Sequence, residues 1–198
     1  GGPAGLEATL SLARRGYSVA IADSEKELGG RINKESMLPG MSSYKRVTDY
    51  RVSQINQLDN VDIYLENTLN SDDVLELGFD HVVTATGSSW QPSIMDEKTA
   101  PIAIPKTNSI FTPEDVLKGC ELKSPVLIFD FDYYYMGGLI AEYIKDLGHE
   151  VTIITPFEKV SPWSFNSNEV TEIKLKLLEK DIKVITDHRI IEIEESSV

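Results

Sequence analysis

The sequence predicts an α/β fold made of two strand–helix–strand units, and three observations predict it. A glycine-rich turn, GGPAG at residues 1–5, opens a helix-length run and leads into a short β-branched strand, YSVAIAD at residues 17–23. A second stretch repeats the order, with VLIFD from Val126, a helix over residues 137–147 and the strand HEVTIITP. Short apolar runs alternate with segments of helical periodicity, the pattern of a parallel sheet covered by helices. The expected division is residues 1–112 and 113–198, each a Rossmann-like unit of the FAD/NAD(P)-binding type. The first lacks its opening strand, and the whole is expected to be truncated at both ends.

GGPAG supplies most of the dinucleotide-binding turn G-x-G-x-x-G. Gly2 and Gly5 fit its second and third glycines, and Gly1 the variable position between the first two. A pyrophosphate must approach backbone N–H groups at a helix N-terminus, where a Cβ on Gly2 would stand in the way, while Gly5 lets the helix lie close on the sheet. Pro3 suits a first helical turn, where its missing N–H costs nothing. Leu6, Leu10 and Ala13 then share one face, and Gly16 ends the helix after Arg14 and Arg15. Asp23 lies eighteen residues beyond Gly5, near the ~20 expected of the acid that bonds ribose hydroxyls. An acid there disfavours a 2′-phosphate. The plainer alternative is an ordinary Gly/Pro turn and an Asp that caps a strand; the order turn, helix, strand, acid favours nucleotide binding.

Gly29 and Gly30 form a second glycine pair just past that strand. They read as a plain turn, or as backbone approaching the cofactor's phosphates near Gly30, with Arg31 a charge partner. From Tyr44 the spacing of Val47, Tyr50/Arg51, Ile55 and Leu58 predicts a helix, and residues 61–65 a short strand. Ser71 is the expected N-cap of a short helix that Gly78 stops, with Asp72 and Asp73 in its first turn. Val82, Val83, Thr84 and Ala85 read as a buried strand ending in Thr86-Gly87. Small residues at such an end can lie beneath a nucleotide at the carboxyl edge of a parallel sheet. Residues 88–112 read as a connector. Thr112 then caps a short helix with Pro113 at its first position, ending near Gly119.

The turn of the second unit reads DFDYYYMGG. Asp130 and Asp132 stand where the first two glycines should be, and Tyr135 near the third. Each carboxylate would repel a pyrophosphate by ~1 kcal/mol or more at a few ångströms, and the tyrosines fill the space it needs. The expectation is a Rossmann-type unit that has lost its nucleotide; a paired-carboxylate site and plain turn formation stay open for the two aspartates. Further on, Ser167 or Asn168 should cap a helix with Ile173 and Leu177 on its apolar face, followed by strands at residues 182–186 and 189–193. No nucleophile–base arrangement and no metal-ligand spacing is read, so no catalytic and no metal residue is assigned.

The chain has 198 residues, 41% of them hydrophobic, and a net charge of −13. No apolar run approaches the ~18 residues that span a bilayer. The acidic balance speaks against nucleic acid and anionic membranes as partners, since phosphate backbones demand a basic patch. The single cysteine, Cys120, excludes an internal disulfide and an iron–sulfur cluster held by this chain alone.

The order GGPAG, Asp23, LGGRIN, LPG, DYR, a strand ending ATG, TPEDVL and a second βαβ unit resembles the C-terminal nucleotide-binding half of the trimethylamine dehydrogenase-like flavoproteins. DYYYMGG, GHEVTIITP and SPWSFNS are most similar to enzymes of the NADH:flavin oxidoreductase superfamily that demethylate or dehydrogenate N-methylated amines. The resemblance runs over nearly the whole chain. It implies FAD, or ADP in the same site, with Gly2, Ala4 and Gly5 on the pyrophosphate and Asp23 on the ribose. Gly30 and Arg31 would lie near the phosphates, Leu69 would offer backbone to the adenine, and Ala85, Thr86 and Gly87 would form the floor. FMN on a barrel, a 4Fe–4S cluster, the amine substrate and an electron acceptor are implied for other parts of a longer protein. A cytoplasmic location and a homo-oligomer are further expectations. Two rivals remain: an NAD(P)H-dependent reductase of the dienoyl-CoA type, which needs a working second glycine turn, and a non-catalytic module holding ADP for stability.

Overall fold

The structure is a computed structural model and describes residues 1–92 and 110–193. It is a mixed α/β protein with small, wholly parallel sheets among the described residues, divided into two compact units, Gly1–Ser88 and Ser89–Val198. Most of the connector expected at residues 88–112 lies outside the described residues.

In the first unit, α1 (Pro3–Arg14) leads to β1 (Val19–Ala22), the short α2 (Ile32–Glu35), α3 (Lys45–Ile55), β2 (Val61–Tyr64) and α4 (Ser71–Glu76). β1 and β2 pair in parallel, Val19 opposite Val61 through Ala22 opposite Tyr64. Leu6, Leu10, Ile21 and Ile55 form the core, with Leu28, Val52, Leu58, Val61 and Ile63 packed around it. The apolar stripe expected on α1 is therefore the buried one. The Asn60 amide group donates to Ala13 O at 2.9 Å and Tyr17 O at 2.7 Å, fixing the end of α1 to the start of β2.

Three expectations in this unit need correction. On α3 the buried positions are Thr48 and Ile55, while Val47 and Tyr50 are exposed. The Thr48 hydroxyl donates to Lys45 O, so burying it leaves no unpaired group. The cap of α4 is Asn70 rather than Ser71: its side chain accepts from the Asp72 and Asp73 N–H groups, and Asp73 accepts from the Asn70 N–H. Residues 82–85 form no strand; Val82 and Val83 are 58% and 61% exposed. No strand among the described residues pairs with them, and without a ladder the side chains of Val82, Val83 and Thr84 stay in solvent.

In the second unit, α5 (Pro113–Leu117) precedes β3 (Val126–Phe129), α6 (Met136–Asp146), β4 (Val151–Ile154), α7 (Val170–Glu179) and β5 (Lys183–Ile185). The sheet order is β3-β4-β5, all parallel. Ile140, Ile144, Ile153, Leu177 and Ile182 are buried. Thr112 caps α5 as expected, and the structure adds a capping box with Asp115. α7 is capped by Glu169 without a side-chain bond, not by Ser167 or Asn168; the Ser167 hydroxyl donates instead to the Glu169 carboxylate at 2.6 Å. The strand expected at residues 189–193 is also absent. After β5, Asp187 turns the chain at φ +56°, and the Asp187 and His188 N–H groups donate back to Phe157 O and Thr155 O. The backbone is thus bonded to the preceding loop rather than to a new ladder.

Candidate functional site

The N-terminus of α1 is bare. Its N-cap is Gly2, which has no side chain to cap it, and no acid stands in its first turn. The Ala4 and Gly5 N–H groups belong to that first turn and have no intrahelical acceptor. α4 and α5 differ: each is closed by a capping box. A helix end with free N–H groups and the positive end of its dipole is an anion site in waiting.

Two backbone segments meet this helix end. The Gly29 N–H donates to Gly1 O at 2.8 Å. A Cβ on Gly30 would fall 2.8 Å from the Gly2 Cα, and Gly30 holds φ +57°. Glycine at position 30 is thus what allows the two turns to touch, whereas a Cβ on Gly2 would lie 3.8 Å from the Gly30 Cα, at ordinary contact distance. Gly5 also has a close neighbour, since a Cβ there would lie 3.5 Å from the Ala85 Cβ. Ala85 is half-buried, Thr86 and Gly87 are exposed, and Gly87 holds φ +74°.

Asp23 is held at the end of β1, its N–H donating to Tyr64 O at 2.9 Å. Its Oδ2 lies 2.7 Å from the Gly1 nitrogen, and its Oδ1 accepts from the Glu25 N–H at 2.8 Å. Burial pushes the carboxyl up, and the bond from the Glu25 N–H pulls it down. Arg31 is paired with Glu35 at 2.9 Å and reaches Ser88 O and Oγ at 3.4 and 3.3 Å. Of the residues singled out from the sequence, the structure brings Gly2, Gly30, Asp23, Gly5 and Ala85 to one end of α1. Ala4 is exposed on its first turn, and Leu69 is exposed in the loop before α4, with no described contact to the rest. Sequence reasoning missed Glu35, although its spacing of four from Arg31 is that of a helical ion pair. It also missed Asn33, which ties the 27–33 turn to Glu27, Leu28 and Lys45.

The corresponding turn of the second unit is filled by its own side chains. Asp130 is 2% exposed, and its Oδ1 accepts from the Asp132 N–H at 3.2 Å. Its Oδ2 is buried without a hydrogen-bond partner. A Cβ on Gly137, in the first turn of α6, would meet this carboxyl. Asp132 Oδ2 accepts from the Met136 N–H at 3.4 Å. Burial, with the Asp132 charge adding to it, pushes the Asp130 carboxyl up to about 6 against the opposing Asp132 N–H bond. The first turn of α6 is therefore met by the Asp130 and Asp132 carboxyls, whereas the carboxylate beside α1, that of Asp23, is engaged at the Gly1 nitrogen and the Glu25 N–H.

Comparison with known proteins agrees with this second unit. Residues 111–198 match the OYE-like second alpha/beta domain. The chain is also 32% identical over 163 residues to dimethylamine dehydrogenase of Hyphomicrobium sp. (strain x), an alignment covering 78% of this chain and 22% of that protein. Among solved structures, histamine dehydrogenase from Rhizobium sp. 4-9 superimposes with a TM-score of 0.92 at 37% identity, over 98% of this chain and 30% of that one. The 6-hydroxypseudooxynicotine amine oxidase from Pseudomonas geniculata N1 gives 0.89 at 38% identity, over 98% and 29%. The chain is thus related to amine oxidoreductases and spans less than a third of each of these relatives. Among the described residues no helix is long and apolar enough to cross a membrane.

Proposed function

We propose that the first unit binds the adenosine diphosphate half of FAD, or ADP itself, within a flavin-dependent oxidoreductase that acts on N-methylated amines. The observation that carries this reading is the uncapped N-terminus of α1, reached by the backbone of Gly30 and flanked by the Asp23 carboxylate. The diphosphate would lie against the N–H groups of Ala4 and Gly5, and Asp23 would accept from the ribose hydroxyls. Arg31 would neutralise phosphate charge after exchanging its contact with Ser88. Ala85, Thr86 and Gly87 would form the floor, and Leu69 the backbone edge near the adenine. When bound, a flavin supplies the hydride and electron chemistry; this chain's residues bind and orient its nucleotide end. The likeness to dimethylamine dehydrogenase supports the N-methylated amine class.

Calorimetric titration of ADP into the protein tests the reading. Gly2→Val should abolish binding, and Asp23→Ala should weaken it about tenfold or more, the effect of losing a charge-assisted hydrogen-bond pair. ADP binding unchanged by both substitutions would refute the site.

A further inference from the structure

We propose that the crevice beyond the carboxyl ends of β3 and β4 is a binding site for a small organic cation, an alkylammonium with an apolar body. An open crevice of about 510 Å³ lies there, lined by Tyr133, Phe157, Glu158, Trp163, Phe165 and Asn166. β3 runs into the turn that carries Tyr133, and β4 into the loop that carries Phe157 and Glu158. Ligands of open α/β sheets bind outside these strand ends, and the volume is that of a small-molecule site.

The walls are held in place. The Trp163 N–H donates to Tyr133 O at 3.0 Å, joining the two loops. The Tyr133 and Phe157 rings lie 4.0 Å apart between centroids, Phe131 stacks on Phe157 at 6.0 Å, and Tyr134 stacks on Trp163 at 6.0 Å. Trp163 and Phe165 remain 51% and 72% exposed, so ring surface stays open to a ligand.

Charge selects the class. Among the lining residues Glu158 is the charged one, and neither lysine nor arginine lines the cavity. Aromatic faces carry partial negative charge and attract an ammonium group, more strongly once it is desolvated. A cation that brings methyl or methylene groups to the rings and its charge toward Glu158 satisfies every wall. This site lies in the second unit, apart from the nucleotide reading, so either can fail alone.

Choline is the probe, with 3,3-dimethylbutan-1-ol as its uncharged carbon isostere, followed by ligand-detected NMR and tryptophan emission on the whole protein. Saturable choline binding in the millimolar range or tighter is expected, with the isostere at least tenfold weaker. Trp163→Ala and Phe165→Ala should each weaken choline about three- to tenfold, the range of one cation–π contact, and Glu158→Gln severalfold. Both aromatic residues are half or more exposed, so their removal leaves the core intact; unchanged circular dichroism checks this. Absence of saturable binding, equal affinity for the isostere, or full affinity in Trp163→Ala would each overturn the proposal.

Discussion

Replacing Asp130 with asparagine keeps the shape of a buried side chain and removes its charge. Asp130 is 2% exposed, and its carboxyl is pushed up from 3.8 to about 6. At 1.36 kcal/mol per unit, the folded protein disfavours the ionised form by roughly 3 kcal/mol. The folded state therefore holds this proton more tightly than the unfolded state does. Below pH 3.8 both states carry it and the protein keeps its full stability at this position. As pH rises toward 6 the unfolded chain releases the proton first, and stability falls; above about 6 the loss is complete. Asparagine has no proton to lose. The stability difference, Asp130→Asn minus wild type, should thus be near zero at about pH 3 and grow to about 3 kcal/mol in favour of the variant by about pH 7. Urea unfolding of both proteins across that range, followed by tryptophan emission, measures it. Comparing the two cancels the titration of other groups. A difference that stays flat with pH, or one that shrinks as pH rises, would refute the assignment of a buried, poorly paired carboxyl.

Other consequences follow from the first unit and the caps. Gly30→Ala forces a side chain into φ +57° and against the Gly2 Cα; a loss of about 1–3 kcal/mol is expected, with ADP affinity falling in parallel, both readable by thermal unfolding with and without ADP. Leu6→Ala hollows a fully buried position and should cost about 2–5 kcal/mol in urea unfolding. Thr112→Ala removes one half of the α5 capping box and should cost about 1 kcal/mol, whereas Ser71→Ala, at a position that caps nothing, should leave the urea midpoint nearly unchanged.

What could be read from the sequence was local. The stripe of Leu6, Leu10 and Ala13, the stop at Gly16 and the Thr112 cap each depend on residues a few positions apart, and the structure keeps all of them. The α3 face went wrong by one position because a buried threonine can satisfy its hydroxyl on its own helix, so polarity misled the periodicity. The run at residues 82–85 has the composition of a strand, yet strand formation is decided by a distant partner that composition does not encode. At the candidate site, the opposition of Gly2 and Gly30 joins residues remote in sequence. The glycine pairs were visible; that they touch was not. The second turn was more legible, because the charge of Asp130 and Asp132 speaks against an anion whatever the fold around them.

All strand pairings described here run in the same direction, with partners such as Val19 and Val61 or Val126 and Val151. Neighbours of this kind cannot be brought together by a hairpin; an intervening helix must first fold back across the strands. Assembly of either sheet therefore waits on a long loop closure, which slows acquisition of the native state. During that delay the edges of β1 and β3 stand open to pairing with other chains, so yield on refolding should fall steeply as protein concentration rises.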